Sequence, residues 1–240
     1  MRYLVVPHDA MSDAATLWVA AIAEPTDGLE LEVGAGRVQP LSGNWNAFEV
    51  HGQPMVRAQR VRVAGLGANR RYPVRLLQNG VERARATAVT LPERLPALDE
   101  PPFICLLGSC FAQLSDEGGS AGAAYVGVAS ASRPHVKFLC GDQVYLDTPP
   151  GRFLWTVHAE QDLRAELLAR YVAAWTQDLT AGGFNRILRD GATFFTSDDH
   201  ELWNNAPNRT PLVRATWWPG GDRGAAWQRI ATELFDMFQT

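Results

Sequence analysis

Over the first ninety residues, apolar side chains come in short segments that alternate with polar positions. Thr16–Ala23, Leu29–Gly34, Phe48–Val50, Gln59–Val63, Tyr72–Gln78 and Ala84–Thr90 have the period of two or the composition of half-buried strands. Turn signals separate them at Asp27-Gly28, Gly34-Ala35-Gly36, Gly65-Leu66-Gly67 and Asn79-Gly80. The last is the strongest hairpin signal in the chain, because Asn-Gly supplies the positive φ values of a two-residue turn. Short strands at this spacing predict a β-sandwich, with Trp18 and Trp45 as core aromatics. His8 and His51 stand isolated and are expected on the surface.

After residue 92 the pattern changes. Glu93–Pro102 has prolines and acids without periodicity, the composition of a stiffened linker. Phe103–Leu107 is an apolar run too short for a helix, ending in Gly108-Ser109-Cys110. Ala121–Ala131 reads as a small-residue helix or loop. Val136–Cys140 follows as a strand buried on both faces, so two parallel strands with a crossover are expected. Asp162–Asp178 places Leu163, Leu167, Leu168, Tyr171, Val172 and Trp175 at helical spacing, and Asn185–Arg189 adds a further helical turn that Gly191 ends. Ala192–Thr196 is a third short strand. A Pro/Gly/Arg-rich loop over residues 206–224 precedes a closing amphipathic helix, Ala225–Phe238.

Composition narrows the function classes. An apolar fraction of 46% and a charged fraction of 20% suit a globular protein with an ample core. The net charge of −4 carries no nucleic-acid-binding signature and no pull toward anionic membranes. No apolar run is long enough to span a bilayer. The first residues lack a signal peptide's apolar centre, which leaves cytoplasmic and mature periplasmic or secreted locations both open. Three cysteines, Cys105, Cys110 and Cys140, are too few for a disulfide framework, and Cys105 and Cys140 are expected as small core residues.

The chemistry gathers at the ends of the predicted parallel strands, where ligands bind in open α/β sheets. Cys110 follows the first strand, Asp142 and Tyr145 the second, and Ser197-Asp198-Asp199-His200-Glu201 the third. Adjacent aspartates repel unless something positive lies between them. Thiolate, phenolate, carboxylate and imidazole together suit transition metals, and phenolate with thiolate favours iron(III).

Gly-Ser-Cys, then Gly-Asp-x-x-Tyr-x-Asp, then Asp-Asp-His-Glu followed by Asn-Asn resembles the alkaline phosphatase D-like metallophosphatases of the calcineurin-like metallophosphoesterase superfamily. The resemblance implies a fibronectin III-like β-sandwich at residues 1–92, a linker at 93–102, and at 103–240 the N-terminal part of an α/β metallophosphoesterase-type domain, incomplete here. It implies that Cys110 and Tyr145 ligate an iron-like ion, Asp142 bridges two metals, and Asp199 ligates the second. His200 protonates the leaving group or stabilises transition-state charge. Asp198 ligates or orients from behind, Asn204 or Asn205 contacts substrate or metal water, and Asp147 caps the following loop. Iron(III) with calcium is the expected metal pair, with zinc or manganese as alternatives. The implied reaction is hydrolysis of phosphate mono- or diesters by a metal-activated water.

Family members continue past Phe238 with further metal ligands, whereas this chain stops at Thr240. His135 sits at the wrong end of its strand, and His158 falls in the loop before the long helix, so neither substitutes. A fragment of a longer protein is the favoured reading. It predicts an exposed sheet edge, uncovered apolar surface at 225–238 and self-association. Two rivals remain: a non-catalytic binding module with a relic metal site, and a hydrolase using Ser109 or Cys110 as nucleophile. The latter lacks the Gly-x-Ser-x-Gly elbow.

Overall fold

The computed structural model describes residues 2–113, 115–116, 119–147, 159–177, 183–209 and 220–240. His158, Asp178 and residues 210–219 of the expected 206–224 loop lie outside them. The N-terminal part contains eight strands: β1 (Tyr3–Ala10), β2 (Ala14–Ile22), β3 (Leu29–Val33), β4 (Arg37–Pro40), β5 (Asn46–Val50), β6 (Gln53–Ala64), β7 (Arg71–Gln78) and β8 (Val81–Val89). They form two antiparallel four-stranded sheets, ordered β1-β2-β6-β5 and β4-β3-β7-β8. The predicted hairpin is the β7–β8 pair, turning at Asn79-Gly80 with positive φ at both residues.

The alternation along β2 shows how the first sheet is used. Leu17, Val19 and Ala21 point between the two sheets, toward Leu31, Val74 and Leu76. Trp18, Ala20 and Ile22 point the other way, into a second core with helices α2 (Glu160–Thr176) and α4 (Gly221–Phe238). Leu163, Leu167, Tyr171 and Trp175 of α2 and Trp227, Ile230, Leu234 and Phe238 of α4 are buried there. The Trp18 indole donates to Met237 O at 2.8 Å, satisfying its polar edge. Each large side chain in this layer contributes roughly 2 kcal/mol of burial, so the first sheet is an integral wall of both cores.

The second part contains β9 (Cys105–Gly108), α1 (Ser120–Gly127), a short 3₁₀ turn at Ser130–Ser132, β10 (Val136–Cys140), α2, α3 (Phe184–Leu188), β11 (Ala192–Thr196) and α4. The three strands are parallel, ordered β11-β10-β9. Val136 pairs with Ala192 on one side and Cys105 on the other, so the strand ends align.

β1 was not anticipated because Pro7, His8 and Asp9 interrupt its apolar pattern. A bulge between Pro7 and Asp9 on this edge strand absorbs the irregularity. β4 also went unread, and Trp45 is only partly buried, at the margin of the inter-sheet core. His8 is buried rather than exposed, stacked on Trp18 at 5.8 Å between ring centroids. His51 is exposed as expected and pairs with Asp162 at 3.2 Å. Among the described residues, one face of β10 is covered throughout and the other only at Val136. Val136, Lys137 and Leu139 are buried, whereas Phe138 and Cys140 are exposed. Cys105 and Cys140 therefore face outward instead of filling a core. Uncovered apolar surface also falls elsewhere than expected. The apolar face of α4 is buried, whereas in the parallel sheet Leu107 at 75% on β9 and Phe138 at 39% on β10 are exposed.

Candidate metal centre

The ends of β9 and β10 turn sharply. Cys110 and Asp142, just past β9 and β10, adopt left-handed backbone conformations with φ of 59° and 58°. Side-chain-bearing residues rarely adopt this conformation, and such strain concentrates at functional sites. Gly141 before Asp142 has φ +82°, and a Cβ there would lie 2.2 Å from Asp198 Cβ. Glycine is thus required where the β10 and β11 ends press together. Phe111 N donates to Asp142 O at 2.7 Å and Cys110 N to Gly141 O at 3.2 Å, fastening the β9 end to the same place.

This convergence brings Asp142, Asp199 and His200 together, each offering a ligand atom within 4.8 Å of the others. Cys110 Sγ lies 3.4 Å from Asp142 Oδ2. The Tyr145 ring lies 4.2 Å from the His200 ring between centroids. Burial first, then the charges of Asp142 and Cys110, push the Tyr145 phenol well above its ordinary pKa. A phenol so disfavoured as an anion becomes a ligand only beside a cation. The donor set of two carboxylates, imidazole, thiol and phenol fits a transition-metal ion.

Asp198 is placed differently. It is exposed, and its Oδ1 accepts from Asp199 N at 2.9 Å, bracing the loop outside the ligand group. Asn204 and Asn205 are tied to the site through their backbone. Asn204 N donates to Asp147 Oδ2, and Asn205 N, with φ 63°, donates to Asp199 Oδ2 at 2.5 Å.

Two residues matter more than their sequence positions suggested. Asp147, expected to cap a loop, has a nearly inaccessible carboxylate whose Oδ1 lies 2.8 Å from His200 Nδ1. Nδ1 then donates and Nε2 becomes the outward-facing ring atom. Burial opposes the imidazolium, but the Asp147 hydrogen bond and the charges of Asp147, Asp199 and Asp142 outweigh it and raise its pKa. The other residue is Glu201, quoted in the motif without a role and fully buried. It accepts from Asp142 N at 2.9 Å, Gln143 N at 2.6 Å and Asp198 N at 3.0 Å. One carboxylate thereby clamps the ends of β10 and β11 in register. Burial pushes its pKa up against the stabilising backbone bonds. The position after a histidine gives no sign of this clamp; only the partners reveal it.

A sandwich of two antiparallel sheets sharing a helical layer with a small parallel sheet, acid-rich at its C-terminal edge, defines the fold. No protein-family model matches the chain, and no curated protein does. Among solved structures the chain is similar to PhoD, with a TM-score of 0.62 and 18% sequence identity over 97% of this chain and 44% of that one. The fold is PhoD-like, and the chain spans less than half of PhoD's length. An amylomaltase from Corynebacterium glutamicum, 15% identical over 61% of this chain and 22% of that one, aligns at a TM-score of 0.24, too low to carry an argument.

Proposed function

We propose that the protein is a metal-dependent phosphoesterase of the alkaline phosphatase D kind, acting on phosphate mono- or diesters. The observation carrying this reading is the meeting of Asp142, Asp199 and His200 at the edge of a PhoD-like sheet. In this reading residues 1–92 are the fibronectin III-like part, 93–102 the linker and 103–240 the metallophosphoesterase-type part. Cys110, Asp142, Tyr145 and Asp199 hold the metals, iron(III) with calcium being the preferred pair. Asp198, Asn204 and Asn205 support the loop. Bound metals would supply charge neutralisation at phosphorus and lower the pKa of an attacking water. Among the chain's own groups, His200 presents Nε2 to the leaving oxygen and donates a proton there. Asp147 fixes the ring's orientation and compensates the imidazolium charge. Glu201 holds the backbone at Asp142 and at Asp198, next to Asp199, together. Copies of the chain associate, in the same reading, through the β9 edge beside exposed Leu107. Sedimentation at rising concentration checks this.

Elemental analysis, a visible absorption spectrum and hydrolysis of p-nitrophenyl phosphate and its bis-ester test the main reading. Iron near stoichiometry, a charge-transfer band and turnover abolished by chelation are expected. Full turnover in metal-free protein would sink the idea. A protein that takes up no metal would favour the non-catalytic binding module.

A further inference from the structure

The opposite end of the parallel sheet carries a separate cavity of about 230 Å³, where β8 of the sandwich meets α1, α3 and the residues leading into β10 and β11. Arg85, Arg133, Arg186, Arg189, Tyr125 and Asp190 line it, four arginines to one acid in a chain whose net charge is −4. The acid is already shared. Asp190 accepts from Arg71 at 2.9 Å, from Tyr125 at 3.1 Å and from Arg133 at 3.5 Å. Glu82 binds Arg85 at 2.7 Å, but that pair is largely exposed and weakly held. Arg133 also lines the cavity, and its Nε is buried with no hydrogen-bond partner among the described residues. A buried guanidinium donor without an acceptor is costly, and the cheapest remedy is an oxyanion.

The cavity is also firmly built. Thr87 N donates to Arg189 O at 2.7 Å and Gly191 N to Thr87 O at 2.8 Å, locking the sandwich to the start of β11. Behind it the buried Lys137 amine donates to Asp190 O and Gly191 O.

We infer that this cavity binds a phosphate-type oxyanion, gripped by guanidinium forks from both parts of the chain. The site is distinct from the candidate metal centre, lying at the other end of the strands, and does not depend on the function proposed for that centre. A bound anion bridges Arg85 of β8 to Arg133 and Arg189, and so stiffens the junction between the two parts.

Calorimetric titration of inorganic phosphate into the full chain in chelator tests the inference, with thermal melting alongside. One saturable site, a melting point that rises with phosphate, and retention of both in Asp142→Ala are expected. Arg133→Gln should weaken binding about tenfold, as loss of a charged fork does. If Arg133→Gln fails to fold, Arg85→Gln, an exposed position, should weaken binding severalfold with an unchanged circular dichroism spectrum. Preference for phenyl phosphate over free phosphate at the same arginines would support the site and assign the anion as an ester. No saturation by about 10 mM of either anion, or binding unaffected by both arginine variants, would overturn the proposal.

Discussion

The parallel sheet has opposite charge at its two ends. Past the C-terminal ends of β9, β10 and β11 lie Asp142, Asp147, Asp198, Asp199 and Glu201 with Cys110 and His200. Before the N-terminal ends of β10 and β11, Arg133, Arg186 and Arg189 surround Asp190. At the acidic end the carboxylates are held near one another by backbone amides. Glu201 takes those of Asp142, Gln143 and Asp198, Asp142 takes that of His200, and Asp199 takes that of Asn205. The amides fix geometry without supplying a full positive charge, so the end remains receptive to a cation. At the basic end one aspartate is divided among Arg71, Tyr125 and Arg133, and four arginines line the cavity beside it. An ion of either sign is thus best placed where the fold gathers like charges and holds them with neutral groups.

The sharpest way to break the comparison is Asp142→Ala. It should abolish metal uptake and lower turnover by about 10³-fold or more, while phosphate binding at the arginine cavity persists. Metal content by elemental analysis and titration of phosphate read the two ends separately.

Glu201→Gln should follow. The amide keeps one acceptor but turns an NH₂ toward backbone N–H groups, leaving buried donors unmatched at a cost of roughly 3 kcal/mol. Urea unfolding should show that loss together with weaker metal affinity. A variant as stable as the parent and unchanged in metal affinity would remove Glu201 from its clamping role.

Asp147→Asn has a smaller expected effect. It leaves the ligand group intact but uncouples His200 from its carboxylate, and kcat should fall about tenfold to a hundredfold with KM little changed. An equal rise in KM would mean that Asp147 shapes binding instead.

The smallest effect concerns the layer beneath both ends. Burial, then the charge of Arg60, lowers the His8 imidazole from 6.5 to about 3. Its folded pKa lies below the unfolded value, so the unfolded chain takes up the proton first as pH falls below 6.5. Stability is complete above that pH and drains away toward pH 3. The loss at pH 5 is about 2 kcal/mol. His8→Phe, which preserves the stack on Trp18, should remove that loss, as the difference between denaturant midpoints at pH 5 and 7.5 would show.

Local pattern located most of the strands and helices. Val136–Cys140 and Ala192–Thr196 fall where their apolar runs place them, and α2 lies within two residues of its predicted bounds. Local pattern failed where burial depends on a distant layer. Cys105 and Cys140 look like core residues, yet they face outward because one side of the parallel sheet is uncovered among the described residues. His8 looks isolated, yet Trp18 and, from β11 more than 150 residues away, Phe195 pack against it.

The candidate site divides the same way. Cys110, Asp142, Tyr145, Asp199 and His200 stand out as candidates in the sequence because of their types and their positions after short apolar runs. Asp147 as partner of His200, Glu201 as clamp and the arginine cavity were not legible there. Each depends on which backbone amide or guanidinium arrives beside a carboxylate after folding. Sequence fixes side-chain chemistry and local periodicity, because these belong to a residue and its near neighbours. Only the tertiary structure decides which charges meet, because a hydrogen bond across 50 or more residues leaves no periodic trace in the chain.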